Sequence, residues 1–305
     1  MAVKGRVILY QTVRMRYLIK GLTALLAGCA ALVVAVTAVV GHLSAAAEEK
    51  QKAGSVELPI IMYHGILKDR KRQGKFVISP SEFEADLKYL TEHGYHTIVM
   101  QDLIDYVQNG TPLPEKPVML TFDDGYFNNY VYAYPLLQQY QCKMVLSPIG
   151  RYADEYSELG EENANYSNAT WARLKEMADS GLVEIQNHTY NLHSNKGKRE
   201  GASRRRGESV DAYQAMLRED VGKMQELIRQ NVGYTPTTFT YPFGAVSKEA
   251  LPVLKEMGFQ ATLICSSRIN HITRDPDCLY GLGRFVRPSG VSSEQYFTKT
   301  VPLPE

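Results

Sequence analysis

Val118-Met119-Leu120-Thr121-Phe122-Asp123-Asp124-Gly125 is an apolar run that stops on two adjacent carboxylates and a glycine. Val118 to Phe122 reads as a buried β-strand, and Gly125 allows the sharp backbone turn that ends it. Two acids therefore sit where a buried strand finishes. Adjacent residues on a strand point to opposite faces, so the two carboxylates need different partners. One as metal ligand and the other as proton acceptor meets that need. An Asp-Asp-Gly turn alone is ordinary, and its meaning depends on what the rest of the chain brings to it.

Outward from this run, strand-like and helix-like patterns alternate. Apolar or β-branched runs occur at Pro59 to Tyr63, His96 to Met100, Lys143 to Pro148, Leu182 to Gln186, Thr237 to Tyr241 and Phe259 to Cys265. Between them, Ser81 to Glu92 puts Phe83, Leu87 and Leu90 on one helical face. Thr170 can cap a helix through Met177, and Asp211 to Gln230 spaces Met216, Leu217, Val221, Met224, Leu227 and Ile228 as a helix does. Strand, helix, strand, helix predicts a parallel sheet with helices outside, either a closed or partly closed barrel or an open doubly wound sheet. No internal repeat is present.

Several chemistry-bearing residues fall at the carboxyl ends of these strands. Tyr63-His64 ends the first, and Tyr241-Pro242-Phe243-Gly244 ends a later one. His188-Thr189-Tyr190-Asn191-Leu192-His193 follows Leu182 to Gln186. An offset of five matches neither a strand face nor a helix face, so His188 and His193 converge only if the chain curls after His188. Two imidazoles and one carboxylate make a standard shell for a hydrolytic metal, with positions left for water and substrate. His64, Asp123, Asp124, His188 and Phe243 all reach the face where parallel α/β proteins place their sites.

These motifs resemble those of the polysaccharide deacetylases that share the NodB homology domain, carbohydrate esterase family 4, over about residues 55 to 290. The resemblance implies a distorted (β/α) barrel of the NodB type. In it, Thr121-Phe122-Asp123-Asp124-Gly125 is the first motif, with Asp123 as catalytic base and Asp124 as metal ligand. His188 and His193 complete the ligand set. Their spacing is one residue longer than the usual His-Ser/Thr-x-x-His, as in the poly-β-1,6-N-acetylglucosamine deacetylase branch, and Met62-Tyr63-His64 also looks like that branch. His64 then inherits the general-acid role, with His271 in Ile269-Asn270-His271 as a second candidate. Thr240 stands where many members carry an Arg that orients the base, and Arg284 in Gly281-Leu282-Gly283-Arg284-Phe285 is the substitute. Tyr241 and Phe243 are the substrate and oxyanion residues, the latter through its backbone N–H.

The resemblance implies removal of N-acetyl groups from an amino-sugar polymer with one divalent metal ion, Zn²⁺ first and Co, Ni, Mn or Fe as alternatives. Two other readings stay open: an inactive sugar-binding module of the envelope, and a different metal hydrolase on the same barrel.

The amino terminus adds a location. Lys4, Arg6, Arg14, Arg16 and Lys20 precede Gly21 to Ala47, a stretch without Asp, Glu, Lys or Arg and long enough to span a bilayer, which takes roughly 20 residues. The expected order is a basic cytoplasmic segment (1–20), a transmembrane signal anchor (21–47), a linker (48–56) and an extracytoplasmic catalytic domain (57–305). Cleavage near Ala47, or a lipoprotein signal at Cys29 in Leu26-Ala27-Gly28-Cys29, are the alternatives. A net charge of +1 over 305 residues gives no basic excess for a nucleic-acid partner. Oligomeric state is not legible. Cys265 and Cys278 could pair, with free thiols the blander reading. The basic stretch from Lys196 to Arg206 reads as a solvated loop, or as a contact for anionic envelope polymers.

Overall fold

A computed structural model describes Thr37, residues 55–197 and residues 199–303. The chain divides into two compact units, Met1–Ser55 and Val56–Glu305. The expected basic segment, anchor, cleavage sites and linker lie almost wholly outside the described residues. Among the described residues no helix is long and apolar enough to cross a membrane.

The second unit contains strands β1 (Val56–Leu58), β2 (Ile60–Tyr63), β3 (Gly65–Ile66), β4 (Val77–Ile78), β5 (His96–Ile98), β6 (Pro117–Asp124), β7 (Met144–Pro148), β8 (Val183–Ile185), β9 (Thr238–Thr240), β10 (Ala261–Leu263), β11 (Asn270–Ile272) and β12 (Phe285–Val286). A six-stranded parallel sheet runs β12-β2-β6-β7-β8, with β5 paired to the start of β6. Every residue of β2 and of β6 is buried. That is the signature of parallel strands covered on both faces, and it explains why these runs are continuously apolar rather than alternating. β9 and β10 form a separate parallel pair. A parallel bridge links Asn187, just past β8, to Phe239 of β9, and another links Leu263 of β10 to Leu282, just before β12.

The helices form where the apolar spacing predicts. Pro80–Glu92 opens with a reciprocal cap: the Ser79 side chain accepts from the Glu82 N–H, and the Glu82 carboxylate accepts from the Ser79 N–H. Pro80 at the first helical position sacrifices no hydrogen bond. The helix buries Phe83, Leu87 and Leu90 completely, each worth about 1.5–3 kcal/mol of apolar transfer. Thr170 caps Trp171–Asp179 by accepting from the Arg173 N–H. The 22-residue helix Val210–Asn231 buries Leu217, Val221, Met224 and Ile228.

One expectation changes, and the blander reading of the cysteines holds. The basic stretch after His193 is not simply solvated: Arg199 pairs with Glu208 and Arg204 with Glu249, while Gly201 and Ala202 between them are buried. Glu208 just past the stretch and Glu249 much later in the chain supply those carboxylates. Cys265 and Cys278 are both free thiols.

A candidate metal-binding active site at the strand ends

Because β2, β6, β8 and β9 run in one direction, their carboxyl ends open on one face. A cavity of about 470 Å³ there is lined by His64, Asp123, Asp124, His188, His193, Phe243 and Arg284, among others. Residues spread over more than 200 positions of sequence thus meet at one mouth.

Asp123 and Asp124 both line it, although strand alternation would send one of them away. The alternation fails because Asp124 has a left-handed backbone, φ 71°, followed by Gly125 at φ 74°. A Cβ on Gly125 would sit 2.5 Å from the Cβ of Pro148, so the turn requires glycine. Asn168 holds the turned peptide by donating to the Asp124 carbonyl at 2.7 Å.

The two carboxylates have separate partners. Asp123 receives a two-pronged contact from Arg284, Nη1 to Oδ1 at 2.7 Å and Nη2 to Oδ2 at 2.8 Å, and both side chains are buried. Burial alone would push the Asp123 carboxyl up, but the charges of Arg284 and His188 outweigh it and hold the group well below the usual carboxylate range. Asp123 is therefore a fixed anion. Arg284 reaches it from just before β12, far in sequence from Thr240. The Thr240 hydroxyl is occupied by Ser147 at 2.8 Å.

Asp124 faces the two histidines: its Oδ1 lies 3.2 Å from His193 Nε2 and 3.7 Å from His188 Nε2. One ligand atom from each of the three lies within 4.8 Å of the others. Oδ1 of Asp124 is buried without a hydrogen-bond partner, a costly state for a carboxylate unless a cation completes it. His188 Nδ1 lies 2.8 Å from the Thr240 carbonyl, which fixes its proton there and leaves the Nε2 lone pair facing the cavity. Burial is the main cause that lowers the His188 pKa to about 4, so the ring is neutral near pH 7, as a ligand must be. An orphaned carboxylate oxygen between two imidazole nitrogens fits a divalent cation.

The curl after His188 that the sequence demanded is built from Thr189 at φ 72°. Asn187 Oδ1 accepts from the Thr189 N–H, and Asp220, on the long helix, accepts from the N–H groups of Tyr190 and Asn191 at 2.8 and 2.9 Å. The first N–H groups of the helix Gly150–Leu159 bond the carbonyls of Thr189 and Tyr190. Asn187, Asp220 and Asn168 escaped the sequence reading. Each acts on backbone groups, and no motif marks a side chain chosen to bond a remote N–H.

His64 lines the cavity with its ring against Phe76, centroids 4.8 Å apart, and its Nδ1 is buried without a partner. His271 is elsewhere: it sits on β11, paired antiparallel with β1, its Nδ1 3.7 Å from Glu57. Phe243 is 40% exposed, packs on His193 at 4.4 Å and has φ 59°. Tyr241 does not reach the cavity. Its side chain is buried edge-on against Phe239, and its N–H already donates to Leu263, so it has neither ring nor backbone donor to offer a ligand.

Residues 110–262, half of the chain, match the family model described as polysaccharide deacetylase. The poly-β-1,6-N-acetyl-D-glucosamine N-deacetylase of Escherichia coli (strain K12) is 30% identical over 217 residues, 65% of this chain and 32% of that protein. The chain thus spans about a third of that relative's length. The protein of the same name from Staphylococcus aureus (strain MSSA476) is 28% identical over 190 residues, covering 61% of this chain and 60% of its own. A solved de-N-acetylase from Aggregatibacter actinomycetemcomitans superposes with a TM-score of 0.65 at 27% identity, over 78% of this chain and 96% of that one.

Proposed function

Because the chain belongs to the polysaccharide deacetylase family, we propose that it is a metal-dependent hydrolase that removes N-acetyl groups from an amino-sugar polysaccharide of the cell envelope or matrix, of the poly-N-acetylglucosamine type. The observation that carries this reading is the separation of roles between two adjacent carboxylates, Asp123 clamped by Arg284 and Asp124 aimed at the Nε2 atoms of His188 and His193. The curated relatives with that printed activity support the substrate class. Parallel pairing from β12 through β8, continued by the bridges to β9 and β10, supports the distorted barrel expected from the sequence.

A divalent ion, Zn²⁺ in this reading, would be held by Asp124, His188 and His193 and would polarise the acetyl carbonyl and acidify a water. Asp123 takes the proton from the attacking water, its orientation set by the Arg284 fork. The Phe243 N–H donates to the oxyanion as the carbonyl becomes tetrahedral. His64 gives its proton to the departing nitrogen, so that acetate and a sugar amine leave.

The deciding experiment measures acetate release from poly-N-acetylglucosamine oligomers, peptidoglycan and chitin oligomers, before and after chelation and metal return. Release that survives complete metal removal would sink the metal-dependent reading. No release from any of the three would sink the deacetylase reading. We further assign the domain to the outer face of the cell membrane, on the apolar run 21–47 behind five basic residues; recovery of all the protein from the soluble fraction would overturn that assignment.

A further inference from the structure

One wall of the cavity is made by a loop rather than by a strand end. β3 and β4 pair in parallel, Gly65 with Val77 and Ile66 with Ile78, and this pairing returns the intervening loop to the mouth, where Lys75 and Phe76 of the loop and Val77 at the start of β4 line the cavity. Phe76 is 47% exposed and lies on the His64 ring, and the Lys75 ammonium lies 5.0 Å from the centroid of Phe76. His64, Phe76 and Lys75 thus form a short stack leading from the proposed acid toward solvent.

The charge on that stack is uncompensated. Among the described residues Lys75 has no ion-pair partner. Of the carboxylates at the site, Asp123 is paired with Arg284, and Asp124 stands with His188 and His193 as a proposed metal ligand. The proposed reaction, on which this inference rests, turns a neutral amide into a primary amine: the proton from His64 completes the NH2 group as the C–N bond breaks, and the amine then takes a second proton from solvent. The new cation therefore forms in the cavity that Lys75 lines.

We propose that Lys75 is a specificity-determining residue that discriminates against sugars carrying a free amine, so that the site accepts N-acetylated units and rejects its own product and already deacetylated stretches of the polymer. A neutral N-acetylated unit meets the Phe76 face without electrostatic cost; a glucosaminium meets like charge. Lys75 is exposed, so the interaction acts through water. Two unit charges several ångströms apart then differ by about two- to fivefold in binding, and salt shrinks the effect.

The test uses the full chain with metal bound, at a pH where the sugar amine is protonated. It compares the inhibition constant of a glucosamine tetramer with the KM of the matching N-acetylglucosamine tetramer. The ratio of the two should fall about two- to fivefold in Lys75→Gln and about tenfold in Lys75→Glu at low salt, and the three proteins should converge at high salt. An unchanged ratio at low salt, or a change that persists undiminished in high salt, would overturn the inference. These outcomes are read in a wild-type enzyme that releases acetate; a wild type that releases none would instead bring down the deacetylase reading and this inference with it.

Discussion

At the level of single residues, the Asp123–Arg284 contact decides how the site responds to acid. Burial would raise the Asp123 pKa; Arg284, with help from His188, holds it low. A carboxyl held below its ordinary value keeps its charge, and the stability of its pairing, above that value, and loses both only as pH falls through the lowered one. The low-pH limb of the wild-type rate should therefore not come from Asp123 in the usual carboxylate range. In Arg284→Met, burial acts unopposed by the guanidinium, so the limb should move to higher pH. The maximal kcat/KM should fall about 10²-fold from lost orientation alone. Asp123→Asn should lose about 10²- to 10⁴-fold in rate while keeping its metal, since the amide preserves shape and cannot take a proton. Rate profiles with parallel metal analysis check both. An acid limb that stays in place in Arg284→Met would show that the guanidinium does not set the ionisation of Asp123.

At the level of elements, the strand ends were legible and the turns between them were not. Continuous apolar runs located β2, β6 and β7 to within a residue or two, because parallel strands buried on both faces leave no polar position to blur the pattern. The left-handed Asp124 was invisible, since only the following glycine carries a sequence signal. The His188–His193 curl could be demanded from spacing but not built, because its supports are Asn187 and Asp220, two ordinary polar residues, and two helix N–H groups. Family likeness rather than periodicity singled out Arg284, for nothing local marks an arginine whose partner lies 161 positions away. Asp220 offers the test at this scale. Its carboxylate holds the N–H groups of Tyr190 and Asn191, so Asp220→Ala should free the segment that carries His193. Metal affinity should drop about ten- to hundredfold, as for other supports of metal ligands, with the fold intact by circular dichroism. Unchanged affinity would mean that the helix N–H groups of Gly150 and Arg151 suffice to hold the curl.

At the level of the whole domain, a second buried ion pair fastens the chain's late segment to its early one. Arg287 donates to both oxygens of Asp86 at 2.8 and 2.9 Å, and the same carboxylate accepts from Tyr63 at 3.0 Å and Ser293 at 2.7 Å. Asp86 and Arg287 are 0% and 1% exposed. The carboxylate thus joins the helix Pro80–Glu92, the end of β2 and the segment after β12, whose Phe297 stacks on Tyr89 of that helix with ring centroids 5.2 Å apart. Burial pushes the Asp86 carboxyl up, and only Arg287, Ser293 and Tyr63 oppose it. Removing the guanidinium therefore leaves a carboxyl that is buried, short of partners and costly to ionise. Arg287→Met should lower stability by about 3–5 kcal/mol, the range for breaking a buried pair from one side. Asp86→Leu with Arg287→Met removes both charges and should recover part of that loss, though less than all, because Tyr63 and Ser293 then lose an acceptor. Urea unfolding of the wild type and the two variants measures the difference. A double variant no more stable than Arg287→Met would show that the cost lies in the lost fastening of the late segment rather than in the stranded charge.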